Sequence, residues 1–160
     1  MKERHTVIPR TMCFVFYGDE VLIMKASEKK DWAGIYNPLG GHIEKGEDIL
    51  QNAEREILEE SGLTVHDTKL CGILHVTNFY GKNIMMFITT SKSDSKKVIS
   101  SDEGTLEWIR VSEIDAINSH TDLKPILERV LSSTGVFTGV SEFDDNNQLL
   151  KLDFYPRTDK

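Results

Sequence analysis

Apolar residues gather in short runs with polar punctuation, and the spacing within the runs changes along the chain. "TMCFVFY" (residues 11 to 17) and "EVLIMK" (20 to 25) are β-branched or aromatic runs separated by Gly18 and Asp19, which predicts two strands joined by a tight hairpin turn. Residues 27 to 47 lose this regularity. Pro38 and the glycines at 34, 40, 41 and 46 make the stretch a loop with one short strand near Leu39 to Ile43. From Asp48 to Ser61 helix formers accumulate without proline or glycine. Leu50, Ala53 and Ile57 form one apolar stripe, Glu47 and Asp48 suit the positive N-terminal end, and Gly62 supplies a stop. "TVHDTKLCGILHVTNFY" and "NIMMFITTS" predict strands about a turn near Gly81 and Lys82, followed by a polar loop over 91 to 105. "LEWIRV" predicts another strand, "DLKPILERVLSS" an amphipathic helix over 122 to 133, and "GVFTGVSEF" and "QLLKLDFY" two final strands. Strands interspersed with helices imply an α/β fold, and the 160 residues are expected to form one domain.

Composition narrows the function classes. With 39% hydrophobic and 28% charged residues the chain reads as globular. Its polar start does not resemble a signal peptide, and no apolar run approaches the roughly 18 residues of a membrane helix, so a protein of the cytoplasm without membrane partners is expected. Cys13 and Cys71 lie in strand-like segments and are expected to be buried, reduced thiols. A net charge of -7 argues against stable binding of bare nucleic acid. It still admits a small anionic ligand brought in by metal cations. A monomer or homodimer is expected.

The helix over 48 to 61 concentrates acid. At about 100° per residue, Glu56, Glu59 and Glu60 fall within one arc bordering the apolar stripe, whereas Glu54 points nearly opposite. Like charges three and four residues apart repel by about 0.2–0.5 kcal/mol per pair, so the arrangement opposes the helix unless a cation arrives. A solvated acidic face is the ordinary alternative, and the spacing around the cluster decides against it.

From Gly41 the chain runs Gly, five residues, Glu47, seven residues, Arg55-Glu56-Ile57, one residue, Glu59-Glu60, one residue, Gly62-Leu63. This resembles the Nudix box at every signature position over residues 41–63. Its seven fixed residues match by chance with a probability on the order of 10⁻⁸ per start position. The resemblance implies the Nudix fold, a mixed, curved β-sheet sandwiched between α-helices. It also implies hydrolysis of a nucleoside diphosphate linked to another group, with magnesium as cofactor and manganese as a substitute. Glu56, Glu59 and Glu60 would then be metal ligands, one of them orienting or deprotonating water. The Gly40 carbonyl would add an oxygen, and Glu103 a further acid from a later loop. Hard divalent cations take such oxygen donors, relieve the charge repulsion of a polyphosphate and stabilise the leaving phosphate. Which glutamate serves as base is left open. Arg55 can reach Glu59 one turn on and is expected to orient a carboxylate, while Glu47 pins the loop to the helix start. Gly40, Gly41 and Gly46 would let the backbone approach phosphate and metal, with Gly41 at the substrate.

Beyond the box, nearly the whole chain resembles the MutT-type members that hydrolyse oxidised purine triphosphates. Asn37, four residues before Gly41, matches a position where an asparagine meets the purine edge, and Lys25 matches a substrate-facing lysine; as ordinary residues they would be a turn former and a solvated strand end. The family's paired base-reading aspartates are replaced here by Ser119 and His120 ahead of Pro125. Asp122 lies out of register, and His120 reads either as a substrate contact or as a surface loop residue. Trp32, Tyr36 and Phe79 are candidates for a stacking wall or for core. The function expected is magnesium-dependent conversion of a purine nucleoside triphosphate, of the 8-oxo-dGTP kind, to monophosphate and pyrophosphate. Competing substrates are ADP-ribose or another nucleotide sugar, a dinucleotide polyphosphate and an RNA 5′ end. A nucleotide sensor that does not hydrolyse is a third class, disfavoured by the intact glutamates.

Overall fold

The computed structural model describes residues 1–158. Strands β1 (Ile8–Tyr17) and β2 (Glu20–Ala26) form the expected hairpin. Then come β3 (Tyr36–Asn37), helix α1 (Ile49–Ser61), β4 (His66–Phe79), β5 (Lys82–Lys92) and β6 (Gly104–Arg110). A 3-10 helix (Val111–Ala116), helix α2 (Leu123–Ser132), β7 (Phe137–Phe143) and β8 (Leu149–Tyr155) complete the chain. The strands make one mixed sheet ordered β3-β2-β1-β5-β4-β7-β8, with β6 along β2. β1 and β5 run parallel, as do β4 and β7, and the remaining pairs are antiparallel.

Period-two alternation divides the core between the faces of this sheet. Phe14, Val21 and Ile23 join one apolar cluster, with Leu123, Ile126, Leu127 and Val130 of α2. Cys13, Val15 and Leu22 join the other, with Ala53 and Ile57 of α1. The sheet thus lies between the two helices, as the family resemblance implies. Each fully buried Leu, Ile or Phe contributes about 1.5–3 kcal/mol by leaving water. No described helix is long and apolar enough to cross a membrane.

One irregularity positions the site. β1 and β2 pair only beside their turn, at Phe16↔Val21 and Tyr17↔Glu20, and then separate. Residues 36–43 fill the wedge: Tyr36 and Asn37 pair with β2, while Leu39 and His42 bridge to Cys13 and Arg10 of β1. The short strand expected near Leu39 to Ile43 is therefore displaced to Tyr36–Asn37. Residues 39 to 43 have backbone bonds to β1 but no second partner to make a continuous strand. The sequence also gave no sign of the 3-10 helix, in which only Ile114 is buried. Cys13 is buried and free as expected; Cys71 is free but only half buried, with its thiol against the Thr90 hydroxyl.

Candidate active site

The site begins with the caps of α1. Asp48 accepts from the amides of Leu50 and Gln51 at 2.9 and 3.4 Å, Gln51 accepts from the Asp48 amide, and the helix stops at Gly62. This fixed register presents Glu56 and Glu60 to the wedge, while Glu54 is exposed on another side. Leu39 and Gly41 turn their carbonyls to β1, accepting from Cys13 and Thr11 at 2.7 and 2.9 Å. The Gly40 peptide faces α1 instead, and its N–H donates to Glu60 Oε1 at 3.4 Å. Gly40 has φ +145°, and a Cβ there would lie 2.1 Å from the Thr11 carbonyl oxygen; a Cβ on Gly41 would lie 2.4 Å from Glu56 Oε1. These glycines are needed for close approach, whereas nothing crowds Gly46.

A polar scaffold holds the acids. Arg55 donates to Glu47 at 2.7 and 3.1 Å and to Glu59 at 3.0 Å, and contacts Glu56 at 3.2 Å. Buried Asn52 links Glu47, the His42 carbonyl at 2.7 Å and the Thr11 hydroxyl at 2.6 Å. The Arg55 hydrogen bond is the chief reason the Glu47 carboxyl falls to about 2, outweighing its burial. Burial raises Glu56, and burial together with the Glu56 charge pushes Glu60 up to about 8. Two carboxyls sharing a partly dry site resist simultaneous ionisation, so an oxygen-seeking cation would relieve them. Glu59 is mostly exposed and turned to Arg55, and Glu103, across the wedge, is paired with Lys30. Among the described residues no three His, Cys, Asp or Glu side chains are gathered as a ready metal cage. Glu56 and Glu60 are brought together; Glu59 and Glu103 are held to one side by cationic partners.

Next to the acid pair is a cavity walled by Met12, Leu74, Val76, Phe79, Ile84 and Met86, with Gly40, Glu60 and Glu103 at its margin. Asn37 lines it, with its side-chain amide near the Ile35 carbonyl at 3.4 Å. Trp32 and Phe79 line it within an aromatic group that also holds Tyr80 and His120. Tyr36 lies beside Glu107, which raises its phenol, and is not in the wall. Lys25 is exposed and also outside the wall, because alternation on β2 turns Met24 and Ala26 inward in its place.

His120 lies in the loop before α2 and is half-buried rather than fully solvated. It lines the cavity, its Nε2 is buried without a hydrogen-bond partner among the described residues, and burial lowers its basicity. Asp122, out of register in the sequence comparison, also reaches the wall, and burial pushes its carboxyl up to about 6. The turn entering α2 sets this placement, which counting back from Pro125 does not reveal. Arg10, Asn52 and Asp122 were not among the site residues expected from the sequence. Only Asn52 carried a signal there, as a polar residue on the buried stripe of an amphipathic helix.

The NUDIX domain pattern matches residues 7–130, and the chain belongs to this family. It is 26% identical over 152 residues to the uncharacterised Nudix hydrolase YvcI of Bacillus subtilis, covering 92% of this chain and 94% of that one. It is 36% identical to an oxidized purine nucleoside triphosphate hydrolase of Danio rerio, over 51% of this chain and 53% of the relative. In structure it resembles a MutT protein from Bacillus halodurans with a TM-score of 0.83 and 29% identity, covering 95% of this chain and all of that one. The protein is a Nudix hydrolase, an enzyme for nucleoside diphosphate derivatives, and Nudix hydrolases generally use divalent metals.

Proposed function

We propose that this enzyme converts purine nucleoside triphosphates, oxidised purines among them, to monophosphate and pyrophosphate in the cytoplasm. The observation that carries this is continuity: Gly40 and Glu60 of the acid site belong to the same cavity wall as Asn37, Trp32, Phe79, His120 and Asp122. A base seated among these residues leaves its phosphates beside the carboxylates. Likeness to the purine triphosphate hydrolase supports the choice of substrate.

Glu56, Glu59 and Glu60 with the Gly40 carbonyl would hold magnesium or manganese, and Glu103 would join them on leaving Lys30. The ions supply charge neutralisation of the phosphates and a more acidic water. Arg55 and Glu47 fix the carboxylate directions, Asn52 ties the helix to the glycine loop, and a box glutamate receives the proton of the attacking water. Asn37 offers both a donor and an acceptor to a base edge, Trp32 and Phe79 offer ring faces, and the apolar wall excludes water. Bond cleavage adds water across one phosphoanhydride, so each product keeps an oxygen and a proton is released.

Purified protein incubated with magnesium and a panel of canonical and oxidised triphosphates, ADP-ribose, dinucleotide polyphosphate and 5′-triphosphate RNA tests the reading. Fastest release of pyrophosphate from a purine triphosphate is expected. Preferential cleavage of another class, or a Glu59→Gln variant as active as the parent, would overturn it.

A further inference from the structure

Arg10 shares a face of β1 with Met12 and lines the cavity. Its Nε is buried and has no hydrogen-bond partner among the described residues. None of the salt bridges among the described residues includes it. The other cations nearby are committed, Lys30 to Glu103 and Arg55 to Glu47, Glu56 and Glu59. Burial disfavours the Arg10 charge, and the fields of Glu56, Glu60 and Glu103 partly offset that. A guanidinium keeps its proton, so it must find an anion or bear the cost of desolvation. Divalent ions bound to the glutamates would cancel the offset and leave Arg10 in need of another anion. Its planar fork fits two oxygens of one phosphate.

We infer that Arg10 is a catalytic residue that grips the non-bridging oxygens of the phosphate attached to the nucleoside, where the acid face meets the cavity, once cations occupy the glutamates. The inference rests on the triphosphate reading above. It assigns to β1 a phosphate contact outside the box and couples nucleotide binding to cation binding through charge.

The test compares the parent with Arg10→Met and Arg10→Lys. Binding of dGMP, dAMP and the matching nucleosides is measured by calorimetry with and without manganese, with kcat/KM on dGTP and dATP alongside. Removing a charge-assisted contact to a phosphate is expected to lower kcat/KM about 100-fold in Arg10→Met and about tenfold in Arg10→Lys, which keeps charge but loses the fork. Monophosphate affinity falls in both variants only when manganese is present, nucleoside affinity stays within about threefold, and manganese affinity alone is unchanged or tighter. A structural role would weaken manganese, nucleoside and monophosphate binding together, and that result overturns the inference. So does Arg10→Lys with parental monophosphate affinity, which decides the matter even where Arg10→Met does not fold. A parent that hydrolyses no triphosphate and binds no monophosphate brings down the functional reading itself, whereas an active parent with unaffected variants removes only Arg10.

Discussion

Glu54 and Glu56 are two positions apart on one helix, yet one is solvated and the other lies against the Gly41 backbone. Glu54→Gln is accordingly expected to leave magnesium-dependent turnover within about threefold, whereas the same change at Glu56, Glu59 or Glu60 costs about 100-fold or more, as loss of a metal ligand should. Equal losses at all four positions would contradict the helical geometry. Asp122 makes a separate case at this scale. In the unfolded chain its carboxyl titrates near 3.8 and in the folded protein near 6, so over that interval the native state holds a proton that the unfolded state has lost. Stability contributed by the protonated form is therefore lost as pH rises through this window. Replacing Asp122 by Asn is expected to raise the melting temperature at neutral pH, by roughly 1–3 kcal/mol of stability, and to leave it unchanged near pH 3. A parallel displacement at both pH values would show that the carboxyl is not buried as described.

α1 was legible because its signals are local. Asp48 closes a capping box, Ala53 and Ile57 mark the stripe, and Gly62 follows the last turn. The cap implies its own test: Asp48→Ala should cost about 1 kcal/mol in urea unfolding, since two helix amides lose their acceptor. A change below about 0.3 kcal/mol would mean that the loop holds the helix start without the cap. The β1–β2 hairpin was legible for similar reasons, through period two and a tight turn. β3 was not, because two residues make a strand only where a neighbouring pair of strands has parted, and no local pattern reports that parting. The same limit divided the site. The box gave Glu56 and Glu60 with Glu47 and Arg55 beside them, because a single helix and its preceding loop carry them. The cavity gathers Arg10 from β1, Asp122 from the start of α2 and Phe79 from the end of β4. Their meeting depends on the whole sheet order.

For the whole molecule, the acid pair makes metal binding and folding one problem. Burial and the Glu56 charge push the Glu60 carboxyl up to about 8 in the folded protein, so stability falls as pH rises from the ordinary carboxylate range towards that value. Cations bind the deprotonated, folded form and oppose that loss. Saturating magnesium is expected to raise the melting temperature by several degrees more at about pH 8.5 than at about pH 6.5. An increment independent of pH would exclude proton competition at the pair. The wedge between β1 and β2 also bears on the order of events during folding. Its far wall is β1 held in parallel to β5, with Ile8 opposite Ile84 and Phe16 opposite Lys92, partners remote in the chain. Such closure is slow, whereas a capped helix forms locally and fast. In refolding from urea, helical circular dichroism should return before the fluorescence of Trp32, which lines the cavity, read in a Trp108→Phe background; simultaneous recovery would contradict this. A half-made chain would then carry its acidic helix early, with hydrolysis beginning only when the last long loop has closed.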